Sequence, residues 1–403
     1  MDRYKSFFRG IAYAGYCIVF LFAVYTFEKS IPDQIYVKAG EAIDYQFQVP
    51  VTMEIQEDSS PVAKRTNNAN VRQSYIVTCR LFGIFPVKDI EVVLVDGDAV
   101  YAGGMPIGIY VKTSGVLVIG TSEVERPDGS EAAPAENILK AGDYILSVNG
   151  EKVAEKEDLQ RLVQQNGAEK EILKINRKGE EVEVGVTPVQ NKNGTYMLGA
   201  WVRDDLAGIG TLTYYKEDGT YGALGHAVSD GDVGERIQMR EGYVYNAQII
   251  GVKKGQKGNP GELSGMIRYQ SADCLGTIEE NTDIGIYGKL DGNIAALPRG
   301  DYYNICYKQD IKQGPATIIC GFTGEKKEYA IEIESLDYSG REANKGILFR
   351  VTDEQLLDMT GGIVQGMSGS PILQDGKIIG AVTHVFVSDS SMGYGIFIEN
   401  MVE

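Results

Sequence analysis

Short strand-like runs separated by glycine constrain the fold of this 403-residue chain more than any other feature. The chain contains 49 glycines and only 12 prolines, and from Leu198 onward runs rich in Val, Ile and Tyr alternate with the glycines. Runs of this kind, bounded by glycine, indicate strands. The length allows two to three domains. About 200 residues of short strands predict a mainly β protein with a pair of β-barrels over residues 196–403.

The N-terminal residues form an uncharged apolar run, Gly10–Phe27, with three basic residues before it. At about 1.5 Å per residue, a helix of this length spans roughly 27 Å, close to the thickness of a hydrocarbon core. The basic flank predicts that residues 1–9 stay in the cytoplasm and that everything after residue 27 lies outside. A cleaved signal peptide is the alternative, although no clear A-x-A site lies near Ala23. We therefore expect a transmembrane signal anchor at residues 10–27.

The charge and the cysteines exclude several classes of function. The net charge is −17, and such an acidic chain is repelled by phosphate backbones, so nucleic acid is not an expected partner. The chain has no CxxC motif, and nothing in it predicts a metal site or a cofactor. Cys306 and Cys320 could face each other across a hairpin and form a disulfide, or could both be free buried thiols.

Residues 28–97 predict a small β-rich stalk domain, and residues 100–190 carry a more specific pattern. Gly142–Gly150 reads Gly-Asp-Tyr-Ile-Leu-Ser-Val-Asn-Gly, a strand followed by an Asn-Gly turn. Helical spacing follows at Lys156–Gln165, and then two strand-like runs, Glu171–Asn176 and Val182–Val186. This order and the intact GD-x-I-L-x-V-N-G motif resemble a PDZ domain.

The resemblance to PDZ domains also implies a peptide-binding loop. In that family an apolar residue, a glycine and a second apolar residue lead into an edge strand, and Ile107, Gly108 and Ile109 match this pattern here. A peptide from the same chain or from a partner would then add a strand to that edge. The alternative is a PDZ fold that serves only as a spacer or brace.

The segment Gly366–Pro371 has the form G-x-S-G-x-P and predicts a catalytic nucleophile at Ser368. The glycines allow a tight turn, so that the amides of Gly366 and Ser368 can point at one spot. Preorganised donors of this kind stabilise a developing oxyanion. A second GxSG-like run contains Ser264, but no proline follows it. Ser368 is therefore the predicted nucleophile, with the Gly366 and Ser368 amides as the oxyanion hole.

A serine nucleophile needs a general base, and the chain has only two histidines. His226 lies among small residues typical of a loop, whereas His384 lies in an apolar run typical of a buried strand. His226 is therefore the predicted base, and His384 could line the pocket or brace the site. The third member of such a site is a carboxylate that orients the imidazole. The residue pattern leaves six candidates open: Asp230, Asp232, Asp283, Asp301, Asp353 and Asp358.

Three segments together resemble the SpoIVB-type sporulation serine peptidases: Gly222–His226, Leu198–Asp205 and Gly361–Val387. The resemblance implies a triad of His226, Asp353 and Ser368. This order along the chain is that of chymotrypsin-like peptidases, which have a double β-barrel. Asp353 is only 15 residues before Ser368, closer than in most relatives of that fold.

The family resemblance implies a place in sporulation signalling. The peptidase would be anchored in the forespore membrane, face the space between forespore and mother cell, and cut itself and a membrane-held regulatory protein. That cut would lead to activation of a mother-cell sigma factor. Two alternatives remain open: a non-catalytic membrane-anchored PDZ adaptor, and a broad envelope quality-control protease.

Overall fold

The computed structural model describes residues 25, 28, 31–38, 51–55, 62–65, 71–95, 99–291 and 301–402. Apart from Tyr25, the predicted anchor at residues 10–27 lies outside the described residues. Within those ranges, no helix combines the length and the apolar character needed to cross a membrane.

The N-terminal part, which contains the predicted stalk, forms a five-stranded sheet. Its strands are β1 (Gln34–Lys38), β2 (Val51–Ile55), β3 (Val62–Arg65), β4 (Val71–Leu81) and β5 (Phe85–Val95). β1 runs parallel to β5, and the other pairs are antiparallel. This sheet has its own small core, centred on side chains such as Ile35, Val77 and Val92.

The next part of the chain contains a long strand, a set of short strands and one helix. These are β6 (Ala99–Ala102), β7 (Pro106–Thr121), β8 (Val124–Glu125), β9 (Glu131–Ala132), β10 (Tyr144–Val148), β11 (Glu151–Lys152), α1 (Lys156–Asn166), β12 (Glu171–Arg177), β13 (Glu180–Val186), β14 (Val189–Gln190) and β15 (Tyr196–Met197). The predicted Asn-Gly turn is present, with positive φ at Asn149 and Gly150. α1 buries Leu159, Leu162 and Val163, the spacing that predicted it. The strand–turn–helix–strand-pair order predicted for a PDZ domain is thus confirmed.

A closed six-stranded barrel follows the order β7–β18–β20–β21–β17–β16 and returns to β7. It requires strands from the next stretch of chain: β16 (Ala200–Tyr215), β17 (Thr220–Ala223), β18 (Met239–Lys253), β19 (Glu262–Ile267), β20 (Cys274–Thr282), β21 (Gly285–Leu290) and β22 (Tyr302–Asn304). β19 extends β18 as a hairpin, and β22 pairs with β6 at the margin. Large side chains such as Leu212, Tyr215 and Tyr221 fill the interior.

The predicted PDZ loop at Ile107, Gly108 and Ile109 is wrong. These residues lie in the middle of β7, where β16 pairs with them on one side and β18 on the other. Ile107 and Ile109 are 1% and 4% exposed, inside the barrel. Both edges of the strand are already hydrogen-bonded, so no peptide can add there. β7 is instead shared: its first half belongs to the barrel, and Val116 and Leu117 pair with the PDZ strand β10. The PDZ unit is thus inserted between two strands of the first barrel.

The C-terminal part forms a second closed six-stranded barrel in the order β23–β24–β25–β28–β27–β26. Its strands and helices are β23 (Gly314–Cys320), β24 (Lys327–Leu336), β25 (Ile347–Val351), α2 (Glu354–Thr360), β26 (Pro371–Gln374), β27 (Lys377–Phe386), β28 (Asp389–Phe397) and α3 (Glu399–Val402). Cys306 and Cys320 are both buried free thiols, not a disulfide. The fold is mainly β and consists of the N-terminal sheet, a PDZ unit and two six-stranded barrels.

Candidate active site

Ser368 and His226 line the same cavity, which has a volume of about 490 Å³. His226 comes three residues after β17 of the first barrel, and Ser368 comes three residues before β26 of the second. Other lining residues come from both barrels, including Ile209 from β16 and Thr383 from β27. The tertiary structure therefore brings together two residues that are 142 positions apart in sequence, at a cleft between the barrels.

The loop that carries Ser368 is held from both barrels. Met367 is 1% exposed and packs in the core of the second barrel. Thr211 of β16 donates its backbone N–H to the Ser368 carbonyl at 2.9 Å and its hydroxyl to the Gly366 carbonyl at 2.9 Å. Gly369 has a φ of +97°, and a Cβ there would lie 2.0 Å from the carbonyl oxygen of Thr211. Glycine is therefore required for the close approach of the loop to β16.

The two amides that are predicted to bind an oxyanion have no hydrogen-bond acceptor among the described residues. In the described part of the chain, neither the Gly366 amide nor the Ser368 amide donates to a carbonyl or a side chain. Gly366 has a φ of +97°, in the region that favours glycine. The amides on either side, at Gln365, Met367 and Gly369, all have backbone acceptors. The loop thus leaves unpaired the two amides that are predicted to bind an oxyanion.

A tight turn presents His226 to the cleft. Leu224 and Gly225 both have positive φ, and this conformation is uncommon for a leucine. A Cβ at Gly225 would come within 2.8 Å of the Thr383 side chain, so the turn packs closely on the second barrel. His226 Nδ1 lies 2.8 Å from the Ala227 carbonyl oxygen. A carbonyl only accepts, so Nδ1 carries the proton and the lone pair is on Nε2.

Electrostatics keep both histidines neutral. Burial lowers the pKa of His226, against a smaller opposite effect of its hydrogen bond to Ala227. His384 also lines the cavity, and its ring centroid lies 5.4 Å from that of His226. Burial, with the nearby His226 and Lys345 as smaller causes, lowers the pKa of His384 to about 4. A neutral His226 with its lone pair on Nε2 is the form that a general base requires.

The serine hydroxyl is bonded elsewhere in this structure. Ser368 Oγ donates to the Thr383 carbonyl at 2.8 Å, and no hydrogen bond joins Ser368 to His226 across the described residues. Thr383 is itself held, because its hydroxyl donates to the Asn344 carbonyl at 2.6 Å. Rotation of the Ser368 side chain is therefore needed before its proton can pass to a base.

Asp353 caps a helix and does not contact the His226 imidazole in this structure. It is the N-cap of α2, where Oδ1 accepts from the Leu356 amide at 2.9 Å. Its other oxygen lies 3.4 Å from the Ala330 amide. No contact between Asp353 and His226 is found in the described ranges, and Asp353 does not line the cavity. The role of Asp353 in a triad remains a prediction from the family resemblance.

Two of the other candidate carboxylates are paired with arginines instead of His226. Asp230, only four residues after the histidine, is 1% exposed and forms a hydrogen-bonded ion pair with Arg203. Asp283 pairs with Arg236 at 3.1 Å. No Asp or Glu lines the cavity, so in the described part of the chain the Ala227 carbonyl alone fixes the His226 tautomer.

Sequence reasoning missed two residues that hold the serine loop by direct contact. Thr211 does so through its backbone N–H and its hydroxyl, and Thr383 accepts from the Ser368 hydroxyl through its carbonyl; the residue pattern assigned no role to either. Ser264, the rejected serine, lies in mid-strand on β19 opposite Gly251. Within the described ranges, no group of three or more His, Cys, Asp or Glu side chains is placed to hold a metal ion.

A comparison with protein families supports the PDZ unit. Residues 127–177 match the PDZ domain family. Two solved structures are similar. The PDZ domain of the SdrC-like protein from Listeria monocytogenes is 18% identical, with a TM-score of 0.19, over 22% of this chain and 87% of that one. The HtrA-type protease AlgW with decapeptide is 13% identical, with a TM-score of 0.29, over 74% of this chain and 62% of that one. A comparison with the curated proteins gives no significant match.

The peptidase family itself is identified by the C-terminal half. The SpoIVB peptidase S55 family matches residues 194–402, which is 209 of the 403 residues. The matched segment contains Ser368, His226 and Asp353, together with β16, whose Thr211 holds the serine loop. The chain belongs to the SpoIVB peptidase S55 family and carries a PDZ domain.

Proposed function

We propose that this chain is a serine endopeptidase in which Ser368 is the nucleophile and His226 the general base. The observation that carries the proposal is the shared cavity: a serine on a glycine-rich loop and a neutral histidine face the same cleft, beside two unpaired amides. A serine near a base and an oxyanion hole is the arrangement that acyl transfer requires.

In the proposed reaction, Ser368 rotates away from the Thr383 carbonyl and attacks the scissile carbonyl carbon. Nε2 of His226 takes the hydroxyl proton as the new C–O bond forms, and the Gly366 and Ser368 amides bind the oxyanion. The C–N bond then breaks as His226 passes the proton to the leaving amine. Water, deprotonated by the same imidazole, releases the acyl group and restores the serine.

The test of the proposal is covalent labelling of the full chain in detergent with a fluorophosphonate, with the adduct mapped by mass spectrometry. We expect the adduct on Ser368, and labelling to fall by several powers of ten in His226→Ala. His384→Gln is the matched control, because His384 lines the same cavity but is not the proposed base. Full activity of Ser368→Ala would refute the proposal. A well-folded protein that takes no label would favour the non-catalytic PDZ adaptor.

The contribution of Asp353 can be separated from its structural role. Asparagine caps a helix about as well as aspartate, so Asp353→Asn keeps the N-cap of α2 and removes only the charge. If Asp353 orients His226 in the active state, we expect labelling to fall by about 10⁴-fold with an unchanged melting temperature. Labelling at the wild-type rate would limit Asp353 to the helix cap.

The chemistry of the cavity supports a restricted substrate. Among the described residues, its lining contains no Lys, Arg, Asp or Glu, although such residues make up 24% of the chain. An uncharged pocket would leave a charged side chain desolvated and unpaired. We therefore propose cleavage beside uncharged, mainly apolar residues. A charged residue at the cut position should lower the rate of cleavage by about 10-fold or more in matched peptides.

We propose, from family membership, that the substrates are the chain itself and a membrane-held regulatory protein, cut between forespore and mother cell during sporulation. The apolar segment at residues 10–27 would anchor the enzyme in the forespore membrane with its catalytic part outside the cytoplasm. Proteomic analysis of cleavage products in sporulating cells tests this. A few products that include the regulator would support a signalling enzyme, whereas many unrelated products would indicate envelope quality control.

A further inference from the structure

The peptide-binding edge of the PDZ sheet is already occupied by the chain itself. PDZ domains bind an extended peptide as an added strand on an exposed sheet edge. Here the PDZ half of β7 pairs with β10 on one side, through Val116 and Leu117. On its other side, residues 117–121 pair antiparallel with Ala200–Arg203, the start of β16. This second edge is therefore closed by a segment that lies between α1 and β7.

The closing segment packs as a bound peptide would. Every second residue from Tyr196 to Val202 contacts the PDZ core: Leu198 is buried in it, and Tyr196, Ala200 and Val202 pack against it. The alternation is that of a strand with one face inward. Trp201, which points the other way, is 64% exposed.

Helix α1 holds the segment at both ends. Near its C-terminus, the Gln164 side chain donates to the Tyr196 carbonyl at 2.7 Å and accepts from the Tyr196 amide at 3.3 Å. At its N-terminus, the carboxylate of Asp204 accepts from the Lys156 amide and from the Lys156 ammonium, both at 3.0 Å. The segment thus presents apolar side chains at alternate positions and ends in a carboxylate.

The segment can leave without opening the barrel. The pairing of β16 with β7 is interrupted between Arg203, opposite Leu117, and Asp205, opposite Lys112. Gly115, inside this break, has a φ of +100°. Residues 205–211 form a separate ladder with residues 106–112 in the first barrel. Release of residues 196–204 therefore removes the four pairs with β7, the two pairs between β14 and β15, and the ion pairs of Arg203 with Asp230 and Asp232, and it leaves the barrel ladder intact.

We propose that Tyr196–Asp204 is a built-in occupant of the PDZ groove, and that a peptide partner binds by displacing it. The partner is an extended segment with apolar residues at alternate positions followed by a carboxylate, either an acidic side chain or a free C-terminus. Because the groove must open first, the observed affinity is the intrinsic affinity reduced by the open fraction. This inference does not rest on the proposed peptidase activity.

The test uses the full chain in detergent and a synthetic peptide of residues 195–204 with phenylalanine in place of Trp201. Trp201 is the one tryptophan of the chain, so the peptide has no tryptophan fluorescence. The fluorescence signal therefore comes only from Trp201 of the protein and reports on its segment 196–204. We expect a saturable change in fluorescence, with faster amide exchange over residues 197–204 on binding. The control peptide carries serine at the positions of Leu198 and Val202 and should not bind.

A substitution that weakens the binding of Tyr196–Asp204 in the groove should raise the affinity of the groove for the added peptide. Asp204→Ala removes both bonds to Lys156, so we expect the affinity for the peptide to rise about 10-fold or more. Asp205→Asn is the matched control: the neighbouring carboxylate contacts Tyr110 instead, and the affinity should not change. Absence of binding to Asp204→Ala, or binding without faster exchange of residues 197–204, would overturn the proposal. If that variant does not fold, exchange in the wild type decides: a segment protected as strongly as β10 is an integral strand.

Discussion

Removal of the Thr211 hydroxyl should slow the labelling of Ser368 without unfolding the protein. Thr211 is 3% exposed, and its hydroxyl donates to the carbonyl of Gly366, whose amide is one of the two predicted oxyanion donors. Thr211→Val keeps the shape of the side chain and the backbone bond from Thr211 to Ser368. The variant therefore tests whether the hydroxyl positions the oxyanion loop.

The size of the effect follows from the lost hydrogen bond. A buried hydrogen-bonding group left without its partner costs about 1–3 kcal/mol. If the whole of this cost is felt in the transition state, the rate falls by about 5- to 150-fold, because about 1.36 kcal/mol corresponds to a factor of ten. The free energy of unfolding can fall by no more than the same amount.

The assay is the second-order rate constant for fluorophosphonate labelling of Ser368, measured together with thermal unfolding. Thr213→Val is the matched control on the same strand. Thr213 is 0% exposed and its hydroxyl has no hydrogen-bond partner among the described residues, so its removal should leave labelling unchanged and stability equal or higher. Wild-type labelling in Thr211→Val, or an equal loss in Thr213→Val, would refute the reasoning.

Three further predictions concern the Arg203–Asp230 ion pair, the proposed base and the serine loop. Arg203→Ala leaves the buried Asp230 carboxylate without its cation and should lower the free energy of unfolding, measured by denaturant titration, by about 2–4 kcal/mol. The double variant Arg203→Ala/Asp230→Asn should recover part of this loss. No recovery would argue against an unpaired charge as the cause. Because burial lowers the pKa of His226 below its usual 6.5, the rate of labelling should fall at low pH with a midpoint below 6.5, and a midpoint at or above 6.5 would contradict this. The same histidine binds fewer protons folded than unfolded, so its contribution to stability is lost as the pH falls below 6.5. Gly369→Ala should abolish labelling because its Cβ would meet a backbone carbonyl at 2.0 Å. Gly376 also has a positive φ, but open space surrounds it, so Gly376→Ala should lower only the stability. An equal loss of labelling in both variants would point to backbone strain alone.

Local patterns in the sequence were enough to predict the PDZ elements and to select Ser368 and His226, which the structure places in one cavity. The PDZ strand, turn and helix follow from an Asn-Gly turn and from apolar residues at helical spacing, which depend only on near neighbours. The glycines around Ser368 predicted a tight turn that lets the amides of Gly366 and Ser368 point at one spot, since a tight turn is a local property of the backbone. The choice of His226 over His384 as the base, by contrast, is not decided by location, since both line the cavity.

Such local patterns did not predict which strands pair with each other. Ile107, Gly108 and Ile109 have the composition of a PDZ loop, but their position is set by β16 and β18, which follow about 100 and 140 residues later. The same long-range pairing inserts the PDZ unit into the first barrel and fills its peptide edge with residues 196–204.

The sequence by itself determined that the chain is β-rich, contains a PDZ domain and carries a serine on a glycine-rich turn. Only the tertiary structure decided which strands close the barrels, that Asp353 caps a helix, and that the Ala227 carbonyl holds the His226 tautomer. The physical reason is that turns and helices are specified by interactions over a few residues. Barrel closure and site geometry instead depend on hydrogen bonds between distant segments, which no local pattern encodes.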